Sequence, residues 1–408
     1  MGNPIKSKRI LLGITGSIAC YKAADLASKL SQMGALVDTL LTQSAQQFIT
    51  PLTMQSVTGR KAYTDADLWG QEGHVLHIGL AYNADLLVIA PATANTLAKM
   101  AQGLADNLLS VTALAARCPL VVAPAMDGGM YSHPATQANL DTLRKRSVTI
   151  VGPVEGHLAS GQSGVGRMVE PYELLGHIRL VLAREGPLKK RKIVVTAGGT
   201  LEPIDPVRVI SNRSSGKQGF ALAQAALDLG AEVDLIAGPV QLETPVGARR
   251  INVNTAEEML SAVREATRQA DALLMAAAVA DFKPIQVSEQ KIKKESGPPR
   301  VELEPTPDIL TEIAEQKSIS GYPKVTVGFA AESQKLIVNA GVKLTSKKLD
   351  LIVANDITRE DAGFAAETNL VSLLTAQGDV ENLPLMSKYE VAEVVLERVR
   401  ALLQDKGE

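Results

Sequence analysis

The stretch Ile10-Leu-Leu-Gly-Ile-Thr-Gly-Ser17 decides the fold of this 408-residue chain. Its apolar run, Ile10–Ile14, predicts a buried strand, and the residues that follow, Ile18–Met33, predict a helix. A strand that passes through a glycine-containing turn into a helix is the first half of a βαβ unit. Such units build parallel sheets, so the pattern indicates an α/β protein.

The same alternation continues along the chain and then restarts. After the basic, proline-containing segment 184–192, Ile193–Thr196 predicts a new first strand and Gly216–Leu229 a new helix. Further strands are predicted at Val37–Leu41, Asp85–Ala90, Leu120–Ala123, Val233–Ala237, Leu273–Ala278, Val325–Phe329 and Leu351–Ala354, and a closing helix at Lys388–Leu403. The predicted fold class is therefore α/β, with two Rossmann-like parallel-sheet domains at residues 1–186 and 187–408.

Composition narrows the class of protein. Hydrophobic residues make up 46% and charged residues 21% of the chain, which is ordinary for a globular protein. The formal net charge of −2 argues against a nucleic acid as the main partner. The two cysteines, Cys20 and Cys118, are too few for a disulfide framework, which favours a reducing cytoplasm. No apolar run reaches the ~18 residues that span a membrane, so no membrane partner is expected.

Polar residues follow several predicted strands of the N-terminal half. Gly16 and Ser17 open the first helix, where unpaired N–H groups and the helix dipole favour a phosphate. Hydroxyl and amide side chains follow later strands at Thr42, Ser44, Thr93 and Asn95. The carboxyl ends of parallel strands share one edge of a sheet, which places these loops around one crevice. For the first loop alone, a tight turn without a ligand is the alternative, and the missing G-x-G-x-x-G spacing disfavours a nicotinamide dinucleotide.

Together these loops resemble the FMN site of the homo-oligomeric flavin-containing cysteine decarboxylases. The resemblance implies FMN as the cofactor, held through its phosphate and ribityl chain by Gly16, Ser17, Thr42, Ser44, Thr93 and Asn95. It also implies that His77, which precedes Ile-Gly-Leu-Ala, is the catalytic histidine and that the nearby His74 is not. For a histidine taken alone, a structural position on a helix face is the competing interpretation.

Two further motifs resemble this family, but each differs from it at a residue that takes part in the family's reaction. Pro124-Ala-Met-Asp-Gly-Gly-Met130 resembles a motif whose fourth residue is Asn, and here that residue is Asp127. The glycine-rich segment 156–168 resembles a substrate lid whose proton-donating Cys is here Ser160. In the family, FMN oxidises a cysteinyl CH2–SH to a thioaldehyde, CO2 leaves, and an acid protonates the resulting enethiolate.

These departures raise the question of which group supplies the proton. A carboxylate at Asp127 would repel a substrate carboxylate by about 4 kcal/mol at ~4 Å and an effective dielectric of ~20. We therefore expect Asp127 to be protonated in the complex, since burial and a like charge both raise the pKa of an acid. Asp127 would then replace the missing cysteine, because the Ser160 hydroxyl is a poor acid. The alternative is an N-terminal half with lost or altered decarboxylase chemistry, which serves as an FMN-binding assembly or regulatory module.

The C-terminal half carries lysines near a Gly/Ser-rich loop. The segments are Lys291-Ile-Lys-Lys294, Pro305-Thr-Pro-Asp-Ile-Leu310 and Ile210-Ser-Asn-Arg-Ser-Ser-Gly-Lys-Gln-Gly219. Backbone N–H groups of such a loop approach an anion closely, and ammonium groups neutralise it, so the pattern predicts a phosphate site. For a single lysine such as Lys347, a solvated surface position is the alternative.

These segments resemble the synthetase half of the bifunctional coenzyme A biosynthesis flavoproteins. The resemblance implies that cysteine is ligated to 4′-phosphopantothenate with CTP, through an acyl-cytidylate that Asn212 stabilises, with Lys291 as a second catalytic residue. The implied nucleotide contacts are Asp281, Lys291, Pro307, Asp308, Ile309, Leu310, Phe329, Lys343 and Lys347. Mg²⁺ is expected to arrive with CTP rather than in a metal site of the protein.

Both resemblances together imply a bifunctional enzyme, a CTP-dependent carbon–nitrogen ligase and an FMN-dependent carboxy-lyase of coenzyme A biosynthesis. Its expected partners are the small molecules 4′-phosphopantothenate, cysteine and CTP, and its expected location is the cytoplasm. The family resemblance further implies a homo-oligomer, a dodecamer built from decarboxylase trimers and synthetase dimers.

Overall fold

A computed structural model describes residues 2–69, 75–293, 300–332, 335–356 and 366–406. The chain folds into two compact units. The first unit is Asn3–Leu182, and the second is Ala183–Glu408 together with Met1–Gly2. Two residues named above, His74 and Lys294, lie outside the described residues.

The first unit is built on a six-stranded parallel sheet. Its strands are β1 (Arg9–Ile14), β2 (Leu36–Leu41), β3 (Ala62–Thr64), β4 (Leu86–Ala92), β5 (Leu120–Pro124) and β6 (Thr149–Ile150). The strand order is β3-β2-β1-β4-β5-β6, so the direction of winding reverses between β1 and β4. Ligands of open α/β sheets bind outside the carboxyl ends of the strands at such a reversal.

Helices cover both faces of this sheet. They are α1 (Cys20–Gln32), α2 (Pro51–Thr58), α3 (Leu76–Asn83), α4 (Ala94–Gln102), α5 (Leu108–Ala115), α6 (Gly128–Ser132), α7 (Pro134–Lys145) and α8 (Pro171–Ala183). Ile10, Leu12 and Ile14 pack into one core with α1, α2 and α8, whereas Leu11 packs into a second core with α4, α5 and α7. A strand buried on both faces needs a continuous apolar run, which is why the first stretch predicts its strand so clearly. An antiparallel hairpin, β7 (Val154–His157) and β8 (Ser163–Arg167), precedes α8.

The second unit is built on an eight-stranded sheet of order β13-β12-β9-β14-β17-β18-β20-β21. The strands of the whole unit, including those outside this sheet, are β9 (Lys192–Ala197), β10 (Leu201–Pro203), β11 (Val209–Ser211), β12 (Glu232–Ala237), β13 (Arg249–Asn252), β14 (Ala272–Met275), β15 (Phe282–Pro284), β16 (Leu303–Pro305), β17 (Val325–Glu332), β18 (Leu351–Asp356), β19 (Thr368–Asn369), β20 (Val371–Thr375), β21 (Val380–Asn382) and β22 (Met386–Ser387). Its helices are α9 (Lys217–Asp228), α10 (Ala256–Ala266), α11 (Ile309–Ser320), α12 (Leu336–Ser346) and α13 (Lys388–Asp405). The pairs β10–β11, β15–β16 and β19–β22 form separate antiparallel ribbons.

The α/β fold predicted from the sequence is confirmed, with differences at some ends. The first helix begins at Cys20 rather than Ile18, and the strand predicted over Leu273–Ala278 ends at Met275. That strand ends early because the following backbone turns to other partners: the Ala277 N–H donates to Thr196 Oγ1 (3.0 Å) and the Ala278 N–H to the Gly198 carbonyl (2.8 Å). The two antiparallel strands that close the second sheet, β20 and β21, were not predicted.

One aspartate arrangement occurs at the amino ends of strands in both units. Asp85, Asp271 and Asp350 each accept the N–H of a residue on a neighbouring strand, at 2.8, 3.0 and 2.7 Å. Each also accepts from a cationic side chain, of Lys8, Arg191 or Lys317 respectively. Burial alone would raise the pKa of these carboxyls, but the hydrogen bonds and cations lower it. The ionised aspartates therefore tie the starts of adjacent parallel strands together.

Candidate functional site

Three loops of the first unit meet at the carboxyl ends of its strands. The Thr15 hydroxyl donates to the Pro91 carbonyl (2.7 Å) and accepts the Thr93 N–H (3.0 Å), which joins the loops after β1 and β4. A Cβ atom on Gly16 would lie 2.5 Å from the Cβ of Ser44, so the loops after β1 and β2 also touch. The structure thus brings the loops that carry the predicted FMN-binding residues together at the carboxyl edge of the sheet.

The predicted FMN-binding residues differ in how their polar atoms are used. Ser44 and Asn95 are exposed, and Ser17 and Thr93 are half-buried at the starts of α1 and α4. Hydroxyl and amide groups beside the N-terminus of the 13-residue helix α1 fit the phosphate and ribityl chain of FMN. The hydroxyls of Ser17 and Thr93 accept the N–H groups of Ala19 (3.3 Å) and Thr96 (3.4 Å). Thr42 differs in being buried, and its hydroxyl donates to the Ile14 carbonyl (3.3 Å) and accepts the Ala45 N–H (3.3 Å). Its side chain therefore shapes the loop.

The two residues that depart from the family motifs contact each other. The Ser160 hydroxyl donates a 2.8 Å hydrogen bond to Oδ2 of Asp127. The other carboxylate oxygen of Asp127 accepts the Gly129 N–H at 3.0 Å. These residues lie in separate motifs, 33 residues apart in the sequence.

The prediction that Asp127 is protonated concerns the substrate complex, and in the free protein the pKa of its carboxyl is lowered. Asp127 is half-buried at the start of α6. The hydrogen bonds from Ser160 and the Gly129 N–H lower its pKa, and desolvation opposes them only weakly. Asp127 is thus a carboxylate in the free protein, and Ser160 stabilises that charge.

The hairpin β7–β8 is held against the loop that carries Asp127. The Met126 N–H donates to the Gly166 carbonyl at 3.0 Å. A Cβ atom on Gly166 would lie 2.2 Å from the Met126 carbonyl oxygen, so only glycine permits this approach. The close contact in β8 fixes the position of the hairpin, and its tip then reaches Asp127 through Ser160.

His77 lies near the start of α3 and is half-buried. Its Nδ1 atom is buried and has no hydrogen-bond partner in the part of the chain that the structure describes. An unpaired buried imidazole nitrogen is costly, which suits a group that meets a ligand. No hydrogen bond between described residues joins His77 to the Asp127–Ser160 pair.

In the second unit, the predicted nucleotide-binding segments line one cavity of about 710 Å³. The predicted site residues on its wall are Asn212, Asp281, Pro307, Asp308, Ile309, Leu310, Phe329, Lys343 and Lys347. Lys291 is not part of this wall, and its side chain is exposed. The structure therefore brings together all of the predicted nucleotide contacts except Lys291.

Backbone contacts position Asn212 at the cavity. Asn212 follows β11 directly, and its side-chain amide donates to the carbonyls of Val279 (2.9 Å) and Ala278 (3.4 Å). Those carbonyls belong to the loop after β14, which also carries Asp281. Asn212 thus joins the Gly/Ser-rich loop before α9 to the loop after β14.

Lys347 is paired inside the cavity rather than solvated on a surface. Its ammonium forms an ion pair with Asp308 and donates to the Thr311 hydroxyl at 3.0 Å. Burial alone would raise the pKa of Asp308, but Lys347 and the Thr311 N–H lower it. Asp308 also caps α11, so a single ion pair connects the start of that helix to the end of α12.

The sequence analysis did not identify Asn355 and Lys388, which lie on the cavity wall. The side-chain oxygen of Asn355 is buried and has no partner among the described residues. Lys388 is buried, its ammonium donates to the Ala366 carbonyl (2.5 Å), and burial together with nearby Lys217 lowers its pKa. A signal for Asn355 did exist, since it directly follows the apolar run Leu351–Ala354, at the carboxyl end of a predicted strand.

The described residues contain neither a cluster of metal ligands nor a membrane-spanning helix. No group of three or more His, Cys, Asp or Glu side chains could hold a metal ion there. No helix in the same part of the chain is long and apolar enough to cross a membrane.

Family models match both halves of the chain. Residues 2–182 match the model described as "Flavoprotein". Residues 188–403 match the model described as "DNA/pantothenate metabolism flavoprotein C-terminal domain".

Full-length relatives match nearly the whole chain. The coenzyme A biosynthesis bifunctional protein CoaBC of Bacillus subtilis is 43% identical and covers 99% of each chain. The protein of the same name from Vibrio vulnificus is 44% identical over 98% of this chain and 99% of its own. That of Mycobacterium bovis is 40% identical over 97% of each.

Solved structures match the two halves separately. A CoaBC C-terminal domain is 37% identical, with a TM-score of 0.46, and covers 54% of this chain and 100% of its own. A PPC decarboxylase mutant complexed with pantothenoylaminoethenethiol is 38% identical, with a TM-score of 0.41, and covers 43% of this chain and 98% of its own.

Proposed function

Since this chain belongs to the family of bifunctional coenzyme A biosynthesis proteins, we propose that its two activities divide between residues 1–186 and 187–408. The protein is an enzyme of coenzyme A biosynthesis that acts both as a ligase and as a flavin-dependent decarboxylase. The C-terminal part ligates cysteine to 4′-phosphopantothenate, and the N-terminal part decarboxylates the product to 4′-phosphopantetheine. One observation above all supports the ligase assignment: all of the predicted nucleotide contacts except Lys291 lie on one cavity wall.

In the ligase reaction, a carboxylate oxygen of 4′-phosphopantothenate attacks the α-phosphate of CTP and releases pyrophosphate. The cysteine amine then attacks the acyl carbon, and CMP leaves. Asn212 would stabilise the acyl-cytidylate, because its backbone-anchored amide is held on the cavity wall. Lys343 and Lys347 would neutralise the phosphates, and Lys347 would exchange Asp308 for a phosphate oxygen. Mg²⁺ would enter with CTP and reduce the negative charge of the triphosphate.

Asn355 and Lys388 extend this site. The unpaired oxygen of Asn355 would accept a hydrogen bond from a donor group of the ligand. Lys388 would contribute a positive charge near the N-terminus of α9, whose first residues also line the cavity. Both roles are compatible with CTP, which carries an exocyclic amine and a triphosphate.

In the decarboxylase half, FMN would supply the oxidation of the cysteinyl side chain and the return of hydride. Gly16, Ser17, Ser44, Thr93 and Asn95 would hold it in the crevice, while the Thr42 hydroxyl stabilises the loop between them. His77 would contact the substrate through its unpaired imidazole nitrogen.

The Asp127–Ser160 pair would handle the proton in that half. Asp127 is ionised before substrate binds, so the approach of the substrate carboxylate would raise its pKa and favour proton uptake. Across the 2.8 Å hydrogen bond, a proton can pass between the two side chains. CO2 release leaves an enethiolate, and this pair would return the proton to its carbon.

A product analysis tests both activities. The full-length protein is incubated with 4′-phosphopantothenate, cysteine and either CTP or ATP, and the products are identified by mass spectrometry. We expect 4′-phosphopantetheine and CO2 with CTP, and an FMN-coloured protein. Accumulation of the acylated cysteine without CO2 would refute the decarboxylase assignment and favour an FMN-binding assembly or regulatory module. Absence of both products would refute the ligase assignment.

We also propose a homo-oligomer in the cytoplasm, a dodecamer of decarboxylase trimers and synthetase dimers. Exposed large apolar side chains support self-association: Leu52 is 71% exposed and Trp69 84% in the first unit, and Val207 is 62% exposed in the second. Size-exclusion chromatography with light scattering measures the mass directly. A monomer at micromolar concentration would refute the assembly.

A further inference from the structure

An ion pair between the buried Asp205 and the partly exposed Arg208 lies in the turn between β10 and β11. The side chain of Asp205 is fully buried, and it accepts bonds from Nε (2.9 Å) and Nη2 (2.5 Å) of Arg208. It also accepts the N–H groups of Val207 and Arg208, both at 2.8 Å. Burial by itself would raise the pKa of Asp205, but the guanidinium and the N–H groups lower it well below its usual range. The carboxylate is therefore permanently charged at neutral pH.

This pair also binds a segment more than 80 residues away. Oδ2 of Asp205 accepts the Ile292 N–H at 3.2 Å, and Nη2 of Arg208 donates to the Ile292 carbonyl at 2.7 Å. Both backbone groups of one residue are thus held by the two members of one ion pair. A second contact, from the Ser288 N–H to the Ile204 carbonyl (3.0 Å), joins the same segment to the same turn.

Ile292, which the ion pair holds, lies between two exposed lysines, Lys291 and Lys293. The turn that holds it leads through β11 into Asn212 at the cavity wall. A flexible lysine loses less freedom on binding a phosphate when its backbone is already fixed. Because the turn holds Ile292 and β11 leads to Asn212, the hairpin β10–β11 sets the distance between the lysine segment, residues 291–293, and Asn212.

We propose that Asp205 is a positioning residue of the ligase, which fixes the backbone of residues 291–293 so that Lys291 meets the nucleotide in a defined geometry. This inference rests on the proposed role of Lys291 in ligation. Asp205 acts through the lysine segment and touches none of the three substrates. Its charge matters because it accepts the Ile292 N–H and orients the Arg208 guanidinium toward the Ile292 carbonyl at the same time.

Limited proteolysis tests the anchoring without any assay of activity. Trypsin cleaves after lysine, so mass spectrometry of the full-length protein reports opening at Lys291 and Lys293. We expect Asp205→Asn to cleave there about tenfold faster than the unaltered protein. The matched control is Asp234→Asn, which removes another buried aspartate paired with an arginine, Arg249, in the same unit. Equal cleavage rates at 291 and 293 in Asp205→Asn and the unaltered protein would overturn the inference.

A second measurement needs no variant. The Ile292 amide of the unaltered protein should exchange with deuterium at least tenfold more slowly than an unstructured amide, because its N–H is bonded to a buried carboxylate. An Ile292 amide that exchanges at the unstructured rate would overturn the anchoring even if Asp205→Asn fails to fold.

Kinetics distinguish positioning from general stability. We expect Asp205→Asn to lower kcat of ligation about tenfold, with the KM for 4′-phosphopantothenate nearly unchanged, since an interaction made in the transition state is lost. Decarboxylation of supplied 4′-phospho-N-pantothenoylcysteine should stay normal and serves as an internal control. Faster cleavage with normal kcat, while Lys291→Ala is inactive, would overturn the positioning role. Normal ligation by Lys291→Ala would instead refute the proposed function of Lys291 and leave the anchoring intact.

Discussion

The contact between Gly166 and the Asp127 loop gives the sharpest test of the decarboxylase site. In Gly166→Ala, the new Cβ would lie 2.2 Å from the Met126 carbonyl oxygen, whereas real Cβ atoms stay at least 3.0 Å away. The hairpin must therefore retreat by about 0.8 Å or more. Such overpacking costs roughly 1–3 kcal/mol. The atom that the new Cβ meets belongs to the backbone, so the clash cannot be relieved by moving a side chain.

The displacement is large enough to break the hydrogen bond between Ser160 and Asp127. The Ser160–Asp127 hydrogen bond is 2.8 Å long, and a retreat of that size brings it to the limit of hydrogen bonding. A misplacement of ~1 Å in an active site costs about 10²-fold in rate, or ~2.7 kcal/mol. We expect Gly166→Ala to lower kcat of decarboxylation 10- to 100-fold, with FMN binding and ligation unchanged.

The assay measures CO2 release from supplied 4′-phospho-N-pantothenoylcysteine, alongside FMN absorbance and pyrophosphate release. The matched control is Gly164→Ala in the same strand, where the new Cβ would meet only Leu158 Cδ1 at 4.0 Å. Gly164→Ala should decarboxylate normally. Equal rates for the two variants would refute the argument that the hairpin position controls this site.

The remaining predictions concern single side chains. Lys291→Ala should abolish ligation while the fold survives, as judged by circular dichroism, and Lys293→Ala should not; normal pyrophosphate release by Lys291→Ala would contradict the nucleotide site. His77→Asn should block CO2 release but leave FMN bound, because the side chain serves the substrate; loss of the flavin absorbance would contradict this. Asp127→Asn should yield more oxidised enethiol and less saturated product, measured by mass spectrometry, and unchanged yields between pH 6 and 9 would exclude Asp127 as the acid. Asp271→Asn should lower the free energy of unfolding by about 1.5–3 kcal/mol, since charge-assisted bonds to an N–H and two cations are lost. The folded-state pKa of Asp271 is lowered, so its stabilisation is complete above ~pH 4 and is lost as the pH falls through the folded pKa; urea titrations at neutral and acid pH should show the variant losing less stability than the unaltered protein.

The fold could be predicted because its determinants are local. Strands such as Leu86–Ala92 are buried along their whole length, so they are continuous apolar runs in the sequence. The loops at their carboxyl ends must meet because the strands are parallel, which explains why Ser17, Ser44 and Thr93 were placed in one crevice. The antiparallel strand β21 lacks such a signature, since it has three residues, is not fully buried and lies at the edge of the sheet. The strand β20 is buried over most of its length, but Ser372 interrupts its apolar run.

The interactions within the sites depend on distant contacts that no local pattern encodes. Asp127 is hydrogen-bonded to Ser160 because the hairpin β7–β8 reaches the loop that carries it. The anchoring of Ile292 by Asp205 joins residues 87 positions apart. Asn355 could have been found from its place after the apolar run Leu351–Ala354, but the lack of a partner for its oxygen among the described residues depends on the folded cavity.

The two departures from the family motifs make physical sense only as a pair. A thiol at position 160 beside the Asp127 carboxylate would have a raised pKa, because a nearby negative charge disfavours the thiolate, and it would become a weaker acid. A serine does not need to ionise and can remain a donor to the carboxylate, as it does here at 2.8 Å. Replacing only Ser160 by cysteine should therefore not raise activity, whereas Ser160→Cys combined with Asp127→Asn should partly restore the proton donation that Asp127→Asn removes. A gain from Ser160→Cys alone would mean that the carboxylate and residue 160 act independently.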